Sequence, residues 1–213
     1  MKPHRSFYGE LAASKDPTVD AAVKSILLQA IPGAIGVQQG TTLADKMGAD
    51  YWVQRQPPRF PVAVDLKARR EDWLPKGKDD LALETWSVIE TQSPGWTRDP
   101  RKGTDHILWY WKDTKRWVLL PFHQLCHVFI AKWEEWATAP KAQIERQESV
   151  DKETGNLWHS ECVLVPRGIV WQAMCQDSFG YMRTATPKPR ALSMIEPSFE
   201  ELDGCDKPGS CLA

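Results

Sequence analysis

Two short apolar runs joined by prolines constrain this chain most: GADYWVQR at 48–55, then QPPRFP at 56–61, then PVAVDLKAR at 61–69. β-branched and aromatic residues in short runs favour strands, and a proline cluster cannot continue a ladder, so two adjacent strands joined by a loop are predicted. Each strand carries an acid: Asp50 heads the first and Asp65 lies near the end of the second. A carboxylate at the end of an apolar strand costs free energy unless it is paired, solvated or holding a metal. Strand alternation puts Asp65 and Lys67 on one face, with Leu66 on the other.

The rest of the chain supplies a setting for that pair. Residues 18–31 have apolar residues at helical spacing and stop at Pro32-Gly33, which predicts an amphipathic helix. Residues 80–90, DLALETWSVIE, read as a strand, 91–103 as a loop, and TDHILWYWKDTKRWVLLP as two strands turning around Asp113-Thr114. FHQLCHVFIAKWEEWATA from Phe122 repeats its apolar residues on one helical face. Residues 140–160 are polar with a turn signal, and ECVLVPRGIVWQAM reads as a strand running into a helix. The predicted fold is α/β of the α+β kind: a helix, a meander of about five strands, and flanking helices. One domain over 1–186 is expected, followed by an irregular tail over 187–213 rich in Pro, Ser, Gly and acids.

Composition narrows the function classes. Over 213 residues the net charge is −1, so no global basic field advertises nucleic acid and any such contact needs a local patch. Five scattered cysteines do not form a disulfide framework, which points to a reducing, cytoplasmic setting. With no apolar run of membrane-spanning length or secretory leader, a soluble protein without a membrane partner is expected. Eleven tryptophans are expected mainly to pack the core.

If the two strands pair, Asp50 and Asp65 lie within a few ångströms and repel unless a divalent cation sits between them. Hard oxygen ligands with room for water describe Mg²⁺, with Mn²⁺ as the substitute. Lys67 on the same face would bring positive charge to a scissile phosphate, and the three residues together make a phosphodiester hydrolysis site. Arg69, Arg70, Arg98, Arg101 and Lys102 are candidates to hold a DNA backbone. His123, Cys126 and His127 lie within about one helical turn but lack a fourth zinc ligand, and Cys162, Cys175, Cys205 and Cys211 match no zinc spacing. There is no Gly-rich phosphate loop and no dinucleotide fingerprint.

Asp50, a hairpin and Asp65-Leu66-Lys67 together resemble the PD-(D/E)XK nuclease superfamily. The wider string resembles uncharacterised, largely phage-associated members, in Asp45, Gly48 and Asp50, the DLALE strand at 80–84, and Pro94 to Tyr110. The resemblance implies a restriction-endonuclease-like core, a central mixed sheet of about five strands flanked by helices, and metal-dependent hydrolysis of DNA, with Asp50, Asp65 and Lys67 catalytic. It also implies further metal ligands, Glu10 ahead of the first clear helix and Glu84 on a strand expected to neighbour the lysine strand. A homodimer and a phage origin, acting in the host cytoplasm, are compatible with it. The alternative is a catalytically silent protein of the same fold that binds DNA or a host protein as a regulatory factor.

Overall fold

Asp16-Pro17-Thr18 starts the first helix: the Asp16 carboxylate accepts from the Thr18 amide at 2.9 Å, and proline fills the first helical position, where no amide is needed. The structure, a computed structural model, describes residues 16–41, 44, 47–140, 142–150 and 155–184, with side chains described through residue 177. Helix α1 (Pro17–Ala30) buries Val19, Val23 and Leu27, the i, i+4, i+8 stripe expected of an amphipathic helix. The predicted proline–glycine stop holds, with Gly33 at φ +76° turning the chain into a strand.

The described elements then run β1 (Ala34–Gln39), β2 (Tyr51–Arg55), β3 (Val62–Arg69), β4 (Asp80–Val88), β5 (Ser93–Pro94), β6 (His106–Trp111) and β7 (Trp117–Pro121). Helix α2 (Phe122–Thr138), strands β8 (Gln143–Val150) and β9 (Leu157–Pro166), and helix α3 (Arg167–Thr184) complete them. The fold is α+β, and its main sheet is mixed and five-stranded, in the order β1-β2-β3-β6-β7. β3 runs antiparallel to β2 and parallel to β6, so the strands are not a simple meander. A second sheet, β5-β4-β9-β8, is antiparallel throughout.

Three features depart from the sequence reading. β4 belongs to the second sheet, so it does not hydrogen-bond beside the lysine strand. Residues 143–150 form a strand although they are polar on both faces, because β8 is a sheet edge with little to bury. β1 was not anticipated because its AIGVQQ is short, carries a glycine and ends in glutamines. Glu10, Asp45, Cys205, Cys211 and the expected tail over 187–213 lie outside the described residues.

Alternation on β3 divides the core. Val62, Val64, Leu66 and Ala68 pack with Val19, Val23 and Leu27 of α1 and with Leu108 and Tyr110 of β6. Ile107, Trp109 and Trp111 point the other way, into a cluster with Leu81 and Leu83 of β4, Phe122, Leu125 and Phe129 of α2, and Val163 and Val165 of β9. Of the eleven tryptophans expected mainly in the core, Trp109, Trp111 and Trp136 are buried, Trp86, Trp96, Trp133 and Trp158 are half-buried, and Trp52, Trp73, Trp117 and Trp171 are exposed. No helix among the described residues is long and apolar enough to cross a membrane.

Leu27 is fully buried beneath α1 while its neighbour Leu28 is 45% exposed. Leu27→Ala is therefore expected to cost about 2–5 kcal/mol in urea unfolding, and Leu28→Ala about 0.5 kcal/mol or less. Equal losses at the two positions would contradict the assigned helix face.

Candidate functional site

Strand register brings the two sequence-predicted acids together. β2 pairs with β3 as Tyr51↔Val64 and Trp52↔Ala63, and continuing that register by one residue sets Asp50 opposite Asp65. β2 ends there, and the Asp50 carboxylate takes over its pairing role by accepting from the Leu66 amide at 2.6 Å. Asp50 is also anchored through its backbone, whose carbonyl accepts from the Gly40 amide at 2.7 Å.

Asp65 is 4% exposed. Its Oδ1 accepts from Lys67 Nζ at 2.9 Å, joining the two residues that alternation puts on one face. Its Oδ2 is buried without a hydrogen-bond partner, and Lys102 Nζ stands 3.7 Å away. A buried carboxylate oxygen with no donor is rare and marks a place where a ligand would be favoured. Lys67 Nζ also lies 4.9 Å from the ring centroid of Trp96, an aromatic face that suits an ammonium.

Glu84 approaches from the second sheet. Its Oε2 accepts from the Trp96 amide at 2.9 Å. Burial pushes its carboxyl above the ordinary 4.5, the Trp96 bond and the charges of Lys67 and Lys102 pull it back, and the charge of Asp65 adds to the rise. Glu84 was expected on a strand neighbouring the lysine strand; it lies instead on the second sheet, and its charge is felt with those of Lys67, Lys102 and Asp65 across the packing of the two sheets. Cys162, opposite Glu84 in the β4–β9 register, has its thiol pushed up to about 12 by burial and then by the Glu84 charge. That thiol is protonated and unreactive at neutral pH.

The basic residues separate. Lys102, a loop candidate for holding a DNA backbone, stands beside Asp65. Its loop is tied to the segment before Asp50 by the Gly103 amide donating to the Met47 carbonyl at 3.1 Å, and by the Thr104 hydroxyl donating to the Gly48 carbonyl. Arg98 lies between Trp86 and Trp133, 4.2 and 4.5 Å from their centroids, and donates to the Thr85 carbonyl at 3.2 Å, so it is engaged in packing. Arg101 is exposed and grips Asp99 through two hydrogen bonds of 2.8 and 3.1 Å. Arg70 is exposed just past β3, and Arg69 is half-buried at its end.

Arg69 also lines a cleft of about 110 Å³, with Trp109 and Trp111 of β6, Asp80 of β4 and Glu145 of β8 among its walls. The Trp109 indole N–H is buried and has no acceptor among the described residues. Arg116 closes one side: it stacks 3.8 Å from the centroid of Trp111, and its hydrogen bonds hold the Asp72 carboxyl down to about 2.

Comparison with known protein families, curated proteins and solved structures finds no match. Among the described residues, no group of three or more His, Cys, Asp or Glu side chains is arranged to hold a metal ion. His123, Cys126 and His127 diverge: Cys126 is buried, while His123 and His127 are exposed, with His127 3.2 Å from Asp177. The sequence reading missed Trp96, which both supports Glu84 and underlies Lys67. Its signal was the Pro94-Gly95-Trp96 turn, because Gly95 leaves no room for a side chain: a Cβ there would sit 2.3 Å from the Glu84 carbonyl.

Glu84 gives the site a pH signature. A carboxyl raised by folding contributes stability that is fully present below its ordinary value and is lost as pH rises through its folded value. Glu84→Gln keeps an oxygen for the Trp96 amide and removes the buried charge. In metal-free buffer the variant should match the wild type near pH 4 and melt at a higher temperature at neutral pH. A melting difference that does not change with pH would contradict the assignment.

Proposed function

We propose that Asp50, Asp65 and Lys67 form a divalent-cation site for phosphodiester hydrolysis, with DNA as the substrate. The observation that carries the reading is the Asp65 carboxylate: one oxygen is held by Lys67, and the other is buried without a hydrogen-bond donor, beside a second acid in register on the next strand. The residues present fit Mg²⁺ or Mn²⁺, because Mg²⁺ is commonly held by one or two carboxylates, its remaining positions filled by waters and substrate phosphate oxygens. The cation, when bound, supplies Lewis-acid charge to the phosphate and lowers the pKa of its water.

The chain's own residues have separable roles in this reading. Asp50 and Asp65 hold the cation, and the Leu66 amide fixes the Asp50 carboxylate against β3. The Lys67 ammonium, seated over Trp96, offers positive charge to the developing negative charge on phosphate. Glu84, with its raised carboxyl, is the group best placed to take up a proton nearby. The resemblance to PD-(D/E)XK nucleases supports the same assignment, with Asp50, Asp65 and Lys67 in the matching order.

One observation favours a second reading, a catalytically silent binder of DNA or of a host protein: Lys67 and Lys102 already bring two positive charges to Asp65. An ammonium near Oδ2 neutralises the acid without metal. Both readings meet in one assay, cleavage of supercoiled, linear, single-stranded and branched DNA with Mg²⁺, Mn²⁺ or EDTA. Metal-dependent cleavage is expected in the wild type, reduced about 10²-fold or more in Asp65→Asn and in Lys67→Met, with circular dichroism unchanged. Folded wild-type protein that cuts none of these DNAs with either metal would overturn the enzymatic reading and leave the binder.

A further inference from the structure

The cleft between the two sheets plays no part in the cation chemistry, and its walls describe a ligand of their own. One wall is the face of the main sheet that carries Arg69, Trp109 and Trp111, and the other includes Asp80, Ala82 and Leu164 of the second sheet. Its volume, about 110 Å³, is well below the roughly 300 Å³ at which sites for drug-sized ligands begin, so it suits one ring. Four acids line it against three cations. Arg116 is already paired with Asp72 and Asp79, and Glu71 with Lys76. Such walls do not favour an anion and suit a neutral polar ring.

Two polar groups select among such rings. Trp109 is 1% exposed, and its indole N–H has no acceptor among the described residues, so an acceptor on a ligand would be favoured there. Asp80 is half-buried on β4: burial raises its carboxyl above the ordinary 3.8, the Lys78 charge pulls it back, and the charges of Asp79 and Glu145 raise it further. A carboxylate in that setting gains from a donor.

The cleft also adjoins the candidate site. In the β3–β6 register Lys67 stands opposite Trp109 and Arg69 opposite Trp111, so the cleft lies one same-face step, about 6.6 Å, beyond Lys67. The Cys162 thiol feels the charges of Glu84 and Lys67 from the site together with those of Arg69 and Glu145 from the cleft.

We propose that the cleft takes one unpaired nucleobase of a single-stranded DNA, cytosine in preference to thymine. Cytosine is a single ring that joins an amino donor, for the Asp80 carboxylate, to acceptors for the Trp109 N–H. Thymine has no amino group, and the purines are two rings. A base in a duplex has its pairing edge occupied, so the strand entering the cleft is single. The choice of a nucleic acid rests on the phosphodiester reading, and binding measured without metal separates the two.

Full-length wild-type protein in EDTA, titrated with oligodeoxycytidylate and with oligothymidylate of equal length, should bind the first about fivefold or more tighter by tryptophan fluorescence. The Trp109 indole N–H resonance should shift with oligodeoxycytidylate and stay in place with a duplex. Asp80→Asn, whose amide donates as well as accepts, should abolish the preference. Ala82→Phe, which fills the cleft, should abolish the shift, with circular dichroism unchanged in both variants. Equal affinities for the two strands, no binding of either, or a preference that survives both substitutions would overturn the proposal. A cytidylate preference in a protein that cleaves no DNA would remove the nuclease reading and keep the cleft assignment; metal-dependent cleavage without the preference would do the reverse.

Discussion

The parallel pairing of β3 with β6, held from Val64↔His106 to Arg69↔Trp111, is the constraint on which the rest depends. With β2 on its other side, β3 has its backbone bonded on both edges, and its alternation can be committed to two different tasks. Val64, Leu66 and Ala68 are fixed against α1, so a slip of one residue would drive Asp65 and Lys67 into that apolar layer. The burial of one face therefore sets the orientation of the charged face.

The charged face is tolerable because positive charge reaches it from two places. Lys67 comes from the strand itself, and Lys102 from a loop pinned to the segment ahead of Asp50. Close backbone approaches make that convergence possible. Gly48, at φ +89°, would place a Cβ 2.6 Å from the Thr104 hydroxyl, and Gly95 lets the Trp96 turn lie against β4. Glycine removes the steric obstacle in both cases, so three acids and two lysines converge in a cluster where Asp65 Oδ2 still lacks a hydrogen-bond donor.

Much of this was legible in the sequence. The spacing of Asp65 and Lys67 gave their common face, and the proline-joined strands gave the approach of Asp50, because both arise from local alternation. Helices α1 and α2 were legible from their apolar periodicity. β8 was not, since an edge strand with little apolar burial carries charge on both faces and reads as polar loop. The place of β4 was not legible either: a strand's sequence records that it pairs, not which strand it pairs with. Lys102 and Arg98 looked alike as loop cations, and only the tertiary structure separates one beside a carboxylate from one stacked between tryptophans.

A direct test for the proposed cation is the decisive measurement. Trp96 lies under Lys67, with its ring centroid 6.0 Å from that of Trp109, so their indole N–H resonances report on this spot among the chain's eleven tryptophans. Mn²⁺ added in substoichiometric steps should broaden these two signals first, with the effect abolished in Asp65→Asn and reversed by EDTA. Uniform broadening across all indole signals, or selective broadening that survives Asp65→Asn, would contradict a cation site built on Asp50 and Asp65.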